Sequence, residues 1–148
     1  TLVPDDPGVL TSDSGWDTIK HKKHLMDITE QLQSEGIRVS IFVDPIEKYV
    51  EGAAEVGADR VEIYTGVYAE QYHKDRERAI KPHIRCAEKA KEVGIGLNAG
   101  HDLNLENLRY YKEQVPHLLE VSIGHALISD ALYYGLENVI QMYLHQLR

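Results

Sequence analysis

The sequence predicts a parallel α/β fold, and within that class part of a barrel of alternating strands and helices. Short apolar runs near 38–43, 60–65, 95–99 and 119–123 alternate with longer segments of helical periodicity, the pattern of parallel βα units. The first three runs each follow a Gly that reads as a helix stop: Glu35-Gly36-Ile37, Val56-Gly57-Ala58 and Val93-Gly94-Ile95. Gly tolerates the left-handed conformation that closes a helix. Neither GxGxxG nor GxxxxGK[ST] occurs, and such a Gly-rich loop usually follows the first strand of an open doubly wound sheet. Half a barrel is therefore the better reading.

In chain order, Leu2-Val3 reads as the tail of a strand, with Thr1 and not Met in front of it. A helix is expected over 17–35, then a strand over 38–43. Ile46, Tyr49, Val50, Ala53 and Ala54 form one apolar stripe, which predicts a helix over 46–56. After the strand at 60–65, a helix is expected over 75–93, with Pro82 imposing a kink or a helix start. The run at 95–99 leads into a helix over 104–114 that Asn104 can cap. The strand at 119–123 is followed by a short helix near Leu127 to Tyr133. Leu136, Val139, Ile140, Tyr143, Leu144 and Leu147 give the stripe of a last helix over 135–147. Four strands and a remnant are too few to close an eight-stranded barrel, so residues 1–148 are expected to form a single partial barrel domain.

At 148 residues the chain suffices for one domain with a core, and its formal net charge is −8. That balance argues against broad nucleic-acid or anionic-membrane binding, which needs a basic surface. A phosphorylated metabolite can still bind where backbone N–H groups supply the positive end. The single Cys86 rules out an intramolecular disulfide and reads as a packed helix residue. No run has the length and apolarity of a membrane span and no secretory signal opens the chain, so a cytoplasmic location is expected.

In parallel α/β folds ligands meet the carboxyl ends of strands. That rule selects Asp44, Glu62 with Thr65-Gly66, Asn98 to Asp102, and Ser122 to His125. Two of these ends are Gly-His pairs, Gly100-His101 and Gly124-His125. His titrates nearest neutral pH, so His101 at a strand tip is a candidate general acid or base. Gly124-His125 before a short helix fits a phosphate site at a helix N-terminus. Alternation puts Glu62 opposite Val61 and Ile63, either turned inward, where a carboxylate needs a partner, or outward toward a helix or the rim. Glu62, His101, Asp102 and His125 are chemically able to bind a metal, but no HxxxH, HExxH or CxxC spacing supports one. His21, His24, His73, His83, His117 and His145 read as solvated, and the tyrosines as amphipathic packing or a subunit interface.

At these residues the sequence resembles the pyridoxine 5′-phosphate synthase family of vitamin B6 biosynthesis. The resemblance runs in order through LVPDDPGVLTSDSGWD at 2–17, SEGIRVSIFVDP at 34–45, AAEVGADRVEIYTGVYA at 53–69, GLNAGHDLN at 96–104 and VSIGHALISDALYYGL at 121–136. It implies a (β/α)8 barrel, of which this segment holds the part from the end of strand 4 through strand 8 and the C-terminal helix. It implies condensation of 3-amino-2-oxopropyl phosphate with 1-deoxy-D-xylulose 5-phosphate to pyridoxine 5′-phosphate, inorganic phosphate and water, with no metal or organic cofactor. His101 is implied as the late proton donor and Glu62 as a stabiliser of charged intermediates. Thr11 is implied as a contact to the deoxyxylulose phosphate, and Asp102, Gly124 and His125 as the lining of the aminoketone phosphate site. Some relatives carry Gly in place of Asp102. The family's earlier strands supply a catalytic His, a catalytic Glu and further substrate-binding groups, so the segment alone is expected to be inactive and to come from a longer enzyme, commonly a homo-octamer. The competing expectations are a non-catalytic phosphate-binding half-barrel and a metal-dependent sugar-phosphate isomerase.

Overall fold

The computed structural model describes residues 1–4, 8 and 11–148; Asp5, Asp6, Pro7, Val9 and Leu10 of the first matching motif lie outside the described residues. The order is α1 (Lys22–Ser34), β1 (Ser40–Val43), α2 (Glu47–Glu55), β2 (Arg60–Ile63), α3 (Gly66–Val93), β3 (Gly96–Gly100), α4 (Leu108–Gln114), β4 (Leu118–Ser122), α5 (His125–Tyr134) and α6 (Leu136–Gln146). The four strands form one parallel sheet in the order β1-β2-β3-β4. The strand remnant expected at Leu2 is a parallel bridge to Ile41: the Leu2 N–H donates to the Ser40 carbonyl at 2.7 Å, and the Phe42 N–H to the Leu2 carbonyl at 3.0 Å. Gly36, Gly57 and Gly94 all take positive φ, as helix stops require.

Period-two alternation divides the sheet into two faces. Ile41, Val43, Val61, Ile63, Leu97 and Ala99 are buried in the apolar core with Leu25, Val50, Ala87 and Leu108 from the helices. The opposite face carries Phe42, Glu62, Asn98 and Glu120, which share one register row across the strands. Arg38, just before β1, donates to both carboxylate oxygens of Glu120 on β4, at 2.9 and 2.8 Å. In a flat sheet strands three places apart stand ~14 Å from each other, beyond comfortable reach of these side chains. The contact therefore means that the sheet curls about its polar face. Asn98 donates to Glu120 at 3.2 Å and accepts from Arg60 at 3.4 Å, tying all four strands into one network.

Two expectations need correcting. The helix expected over 75–93 is present, preceded by a further helical stretch from Gly66, but the kink or start expected at Pro82 lies instead at Asp75 (φ −159°, ψ 79°). The Asp75 carboxylate accepts the Arg78 N–H at 3.0 Å, so it caps a restarted helix that then runs through Pro82. Before the break, Tyr68 is fully buried, and its hydroxyl donates to the Asn107 carbonyl at 2.8 Å. Secondly, His83 is buried, not solvated. Ile80, His83, Cys86, Ala87 and Ala90 form a single buried stripe of α3, and the His83 Nδ1 lies 3.0 Å from the Tyr111 hydroxyl.

Burial pushes His83 down to about 4. The unfolded chain takes up that proton near pH 6.5 while the folded chain holds a neutral ring. Stability from this site is thus intact above the unfolded value and falls by about 3 kcal/mol between pH 6.5 and 4. Urea unfolding of the full-length protein at pH 7 and pH 4 should show a loss larger by about that amount than in His83→Asn. Equal losses would mean that His83 does not hold its neutral form.

At the other end, α5 has no buried residue. Leu132 and Tyr133 are 82% and 85% exposed, and Ile128, Tyr134, Leu136, Ile140 and Leu144 are also exposed. Among the described residues no helix is long and apolar enough to cross a membrane.

Candidate active site

β3 ends at Gly100, where the chain reverses through His101-Asp102 and the Leu103 N–H returns to the Gly100 carbonyl at 3.2 Å. The strand passes so close to β4 here that a Cβ on Gly100 would overlap the Ser122 carbonyl oxygen; only Gly permits that approach. His101 takes φ +44°, a left-handed conformation uncommon for a side-chain-bearing residue. Its N–H donates to the Ser122 carbonyl at 3.0 Å, which fixes the turn against the tip of β4.

The imidazole is bonded on both sides. Nδ1 lies 2.9 Å from Asp102 Oδ2 and Nε2 lies 2.9 Å from Thr11 Oγ1. An ionised carboxylate only accepts, so Nδ1 carries the proton toward Asp102, and in the neutral ring Nε2 is left to accept from Thr11. The His101 side chain is 22% exposed. Its ring centroid lies 6.4 Å from that of His125, 6.1 Å from Tyr64 and 6.4 Å from Phe42.

Glu62 takes the inward alternative: it lies on the face opposite Val61 and Ile63 and is only 6% exposed. Among the described residues its side-chain partner is Thr1, whose hydroxyl donates to Oε2 at 3.0 Å. Gly124 directly precedes α5, and a Cβ there would meet nothing within 4 Å. The first-turn N–H groups of a helix have no carbonyl of their own helix to bond, so this corner offers donors beside open space. Asn104, expected to cap a helix over 104–114, instead organises the turn before it: its Oδ1 accepts the Glu106 and Asn107 N–H groups at 2.9 and 3.1 Å, and α4 begins only at Leu108, with Asn107 at its N-cap.

The structure brings the six candidate residues together around two adjoining cavities. One, of about 520 Å³, is lined by Thr11, Ala69, His101, Asp102, His125 and Ala126. The other, of about 530 Å³, is lined by Glu62, His101, Ser122, Ile123, Gly124 and His125. His101 and His125 border both. Asp44, selected by the strand-end rule, instead accepts the Gly15 N–H at 3.2 Å. Tyr64, expected with the other tyrosines as packing or a subunit interface, has its ring against His101. Burial first, and then the nearby carboxylates of Asp102, Asp13, Asp44 and Glu70, push its phenol above the ordinary value. The signal for it was present, because Tyr64 follows Glu62 by two residues at the end of β2 and period-two alternation puts both on one face. Among the described residues no three His, Cys, Asp or Glu side chains gather as a metal-binding group. A donor-rich corner with an imidazole and a buried carboxylate beside it can hold an anion and move a proton.

Comparison of the chain with known proteins matches it to one family. The family model described as "Pyridoxal phosphate biosynthesis protein PdxJ" matches residues 1–148. Proteins named pyridoxine 5′-phosphate synthase are similar over the whole chain: that of Christiangramia forsetii is 56% identical, that of Cytophaga hutchinsonii 58% and that of Flavobacterium johnsoniae 53%. In each, the 148 matched residues are 62% of the relative's own length, so the chain spans less than two thirds of the proteins that it matches.

Proposed function

The chain belongs to the PdxJ family of pyridoxal phosphate biosynthesis proteins, and from that premise we propose that the full-length protein is a pyridoxine 5′-phosphate synthase. It joins 3-amino-2-oxopropyl phosphate to 1-deoxy-D-xylulose 5-phosphate and releases inorganic phosphate and water. The observation that carries this reading is the convergence of His101, Glu62 and the Gly124-His125 helix start on adjoining cavities.

In this reading the first-turn N–H groups of α5 and His125 hold the aminoketone phosphate, with Gly124 leaving room for it. Thr11 takes the deoxyxylulose phosphate. His101 presents Nε2 to the substrate once Thr11 turns to its ligand; Nε2 first accepts a proton that the substrate gives up in an earlier step, and the imidazolium so formed returns it late in ring closure. Glu62, buried beside the same cavity, balances the positive charge of imine and iminium intermediates. Asp102 lines the pocket, but its carboxylate is engaged by His101 and its N–H by Thr65 at 3.2 Å.

The curled parallel sheet supports a (β/α)8 barrel in which residues 1–148 supply the part from the end of strand 4 through strand 8 and the final helix. The exposed apolar side chains of α5 and α6 then face the rest of the barrel and neighbouring subunits of a homo-octamer. The reaction takes place in the cytoplasm and needs no organic cofactor or metal.

The test is an assay of the full-length protein with both substrates, reading pyridoxine 5′-phosphate and released phosphate together. Equal amounts of the two are expected, and absence of the pyridoxine product would overturn the reading. Glu62→Gln should lower kcat by about 10²-fold, the scale of one electrostatic stabilising group, while substrate Kd changes far less. A loss confined to Kd would remove Glu62 from the chemical step.

A further inference from the structure

His101 keeps its place through bonds that are not its own. The turn Gly100-His101-Asp102-Leu103 carries a side-chain-bearing residue at φ +44°, a conformation that persists where the surroundings over-determine it. One restraint is the His101 N–H bond to Ser122. The others come from Thr65, at the end of the β2 loop. Its hydroxyl donates to the Gly100 carbonyl and accepts the Asp102 N–H, so one oxygen spans the turn on both sides of His101. Thr65 is fully buried, and water does not compete for these bonds.

The position of Thr65 in its own element sharpens the point. It is the residue immediately before α3, where a Thr hydroxyl ordinarily bonds an N–H of its own first turn. Here it makes no such bond. The hydroxyl is diverted from its own helix to the loop of the neighbouring strand.

We infer that Thr65 is a positioning residue of this site, its buried hydroxyl clamping the Gly100–Asp102 turn so that the His101 imidazole is held over the cavity. The inference rests on the proposed role of His101. It acts on orientation: Thr65 touches no substrate in this reading, and its loss should appear in kcat and not in KM. A misplacement on the order of 1 Å can cost 10²-fold in rate.

The experiment compares Thr65→Val, Thr65→Ser and His101→Ala in the full-length protein, together with the Thr65→Val/His101→Ala double variant. Thr65→Val should lower kcat by about 10–100-fold with KM within about threefold, and Thr65→Ser should restore most of the rate. Hydrogen exchange at the Asp102 amide should accelerate in the Val variant and stay slow in the Ser variant. In the His101→Ala background Thr65→Val should add little, because it acts through the imidazole. Normal kcat in Thr65→Val beside a slow His101→Ala would overturn the Thr65 inference alone. A Ser variant as slow as His101→Ala would overturn it too, even where the Val variant does not fold. Normal turnover in His101→Ala would instead sink the proposed function of His101, and the purpose assigned to Thr65 with it.

Discussion

Replacing His101 by Ala in the full-length protein should slow turnover by about 10²–10⁴-fold, the range of a positioned general acid. The imidazole stands where the two cavities meet, with His125 at 6.4 Å between ring centroids. The bond from Nδ1 to Asp102 sets the tautomer and leaves the opposite nitrogen for substrate. Removing the ring leaves the donors of the α5 start in place, so substrate Kd should move little while the chemical step suffers. Single-turnover measurement with both substrates separates that step from product release. Near-normal single-turnover rates would exclude His101 from proton transfer, whatever the steady-state kcat did.

Much of this arrangement was legible in the sequence because it follows from short-range rules. Gly36, Gly57 and Gly94 mark helix ends through a backbone conformation that other residues avoid, so the strands after them were placed with little ambiguity. Alternation gave both faces of β2 and hence the side on which Glu62 stands, although which face turned inward needed the curled sheet. The failures were tertiary. The helix after Asp75 is legible, but the stretch from Gly66 before it is not, because the helical signal is interrupted at Asp75, where a capping carboxylate restarts the helix, and Pro82 points to a break in the wrong place. His83 was read from its polarity alone, although its spacing from Cys86, Ala87 and Ala90 places it on the buried stripe. The partners of the His101 turn lie 21 and 36 residues away in sequence at Ser122 and Thr65. No local pattern reports such contacts, and they are what set the direction of the imidazole.

Gly100→Ala should be as damaging as loss of His101, and for a different reason. A Cβ at residue 100 would overlap the carbonyl oxygen of Ser122, with the Ser122 carbonyl carbon and amide nitrogen also in tight contact. All three are backbone atoms of β4, so no rotamer change relieves the overlap. The tips of β3 and β4 must separate on the order of 1 Å, the scale of misplacement that costs a site about 10²-fold. The same movement stretches the bond from the His101 N–H to Ser122 and shifts the start of α5 just beyond it. Proton source and phosphate corner are thus displaced by one methyl group. Turnover should fall by at least 10²-fold, with weaker binding of inorganic phosphate, which His101→Ala should leave nearly unchanged. Overpacking of this kind typically costs about 1–3 kcal/mol, visible as a lower urea midpoint. Gly124→Ala is the matched control for stability, since a Cβ there meets no atom within 4 Å: it should unfold like the parent protein. Should Gly100→Ala retain the parent's urea midpoint, phosphate affinity and kcat, the close approach of the two strand tips would be wrong, and with it the geometry from which the roles of His101 and Thr65 are drawn.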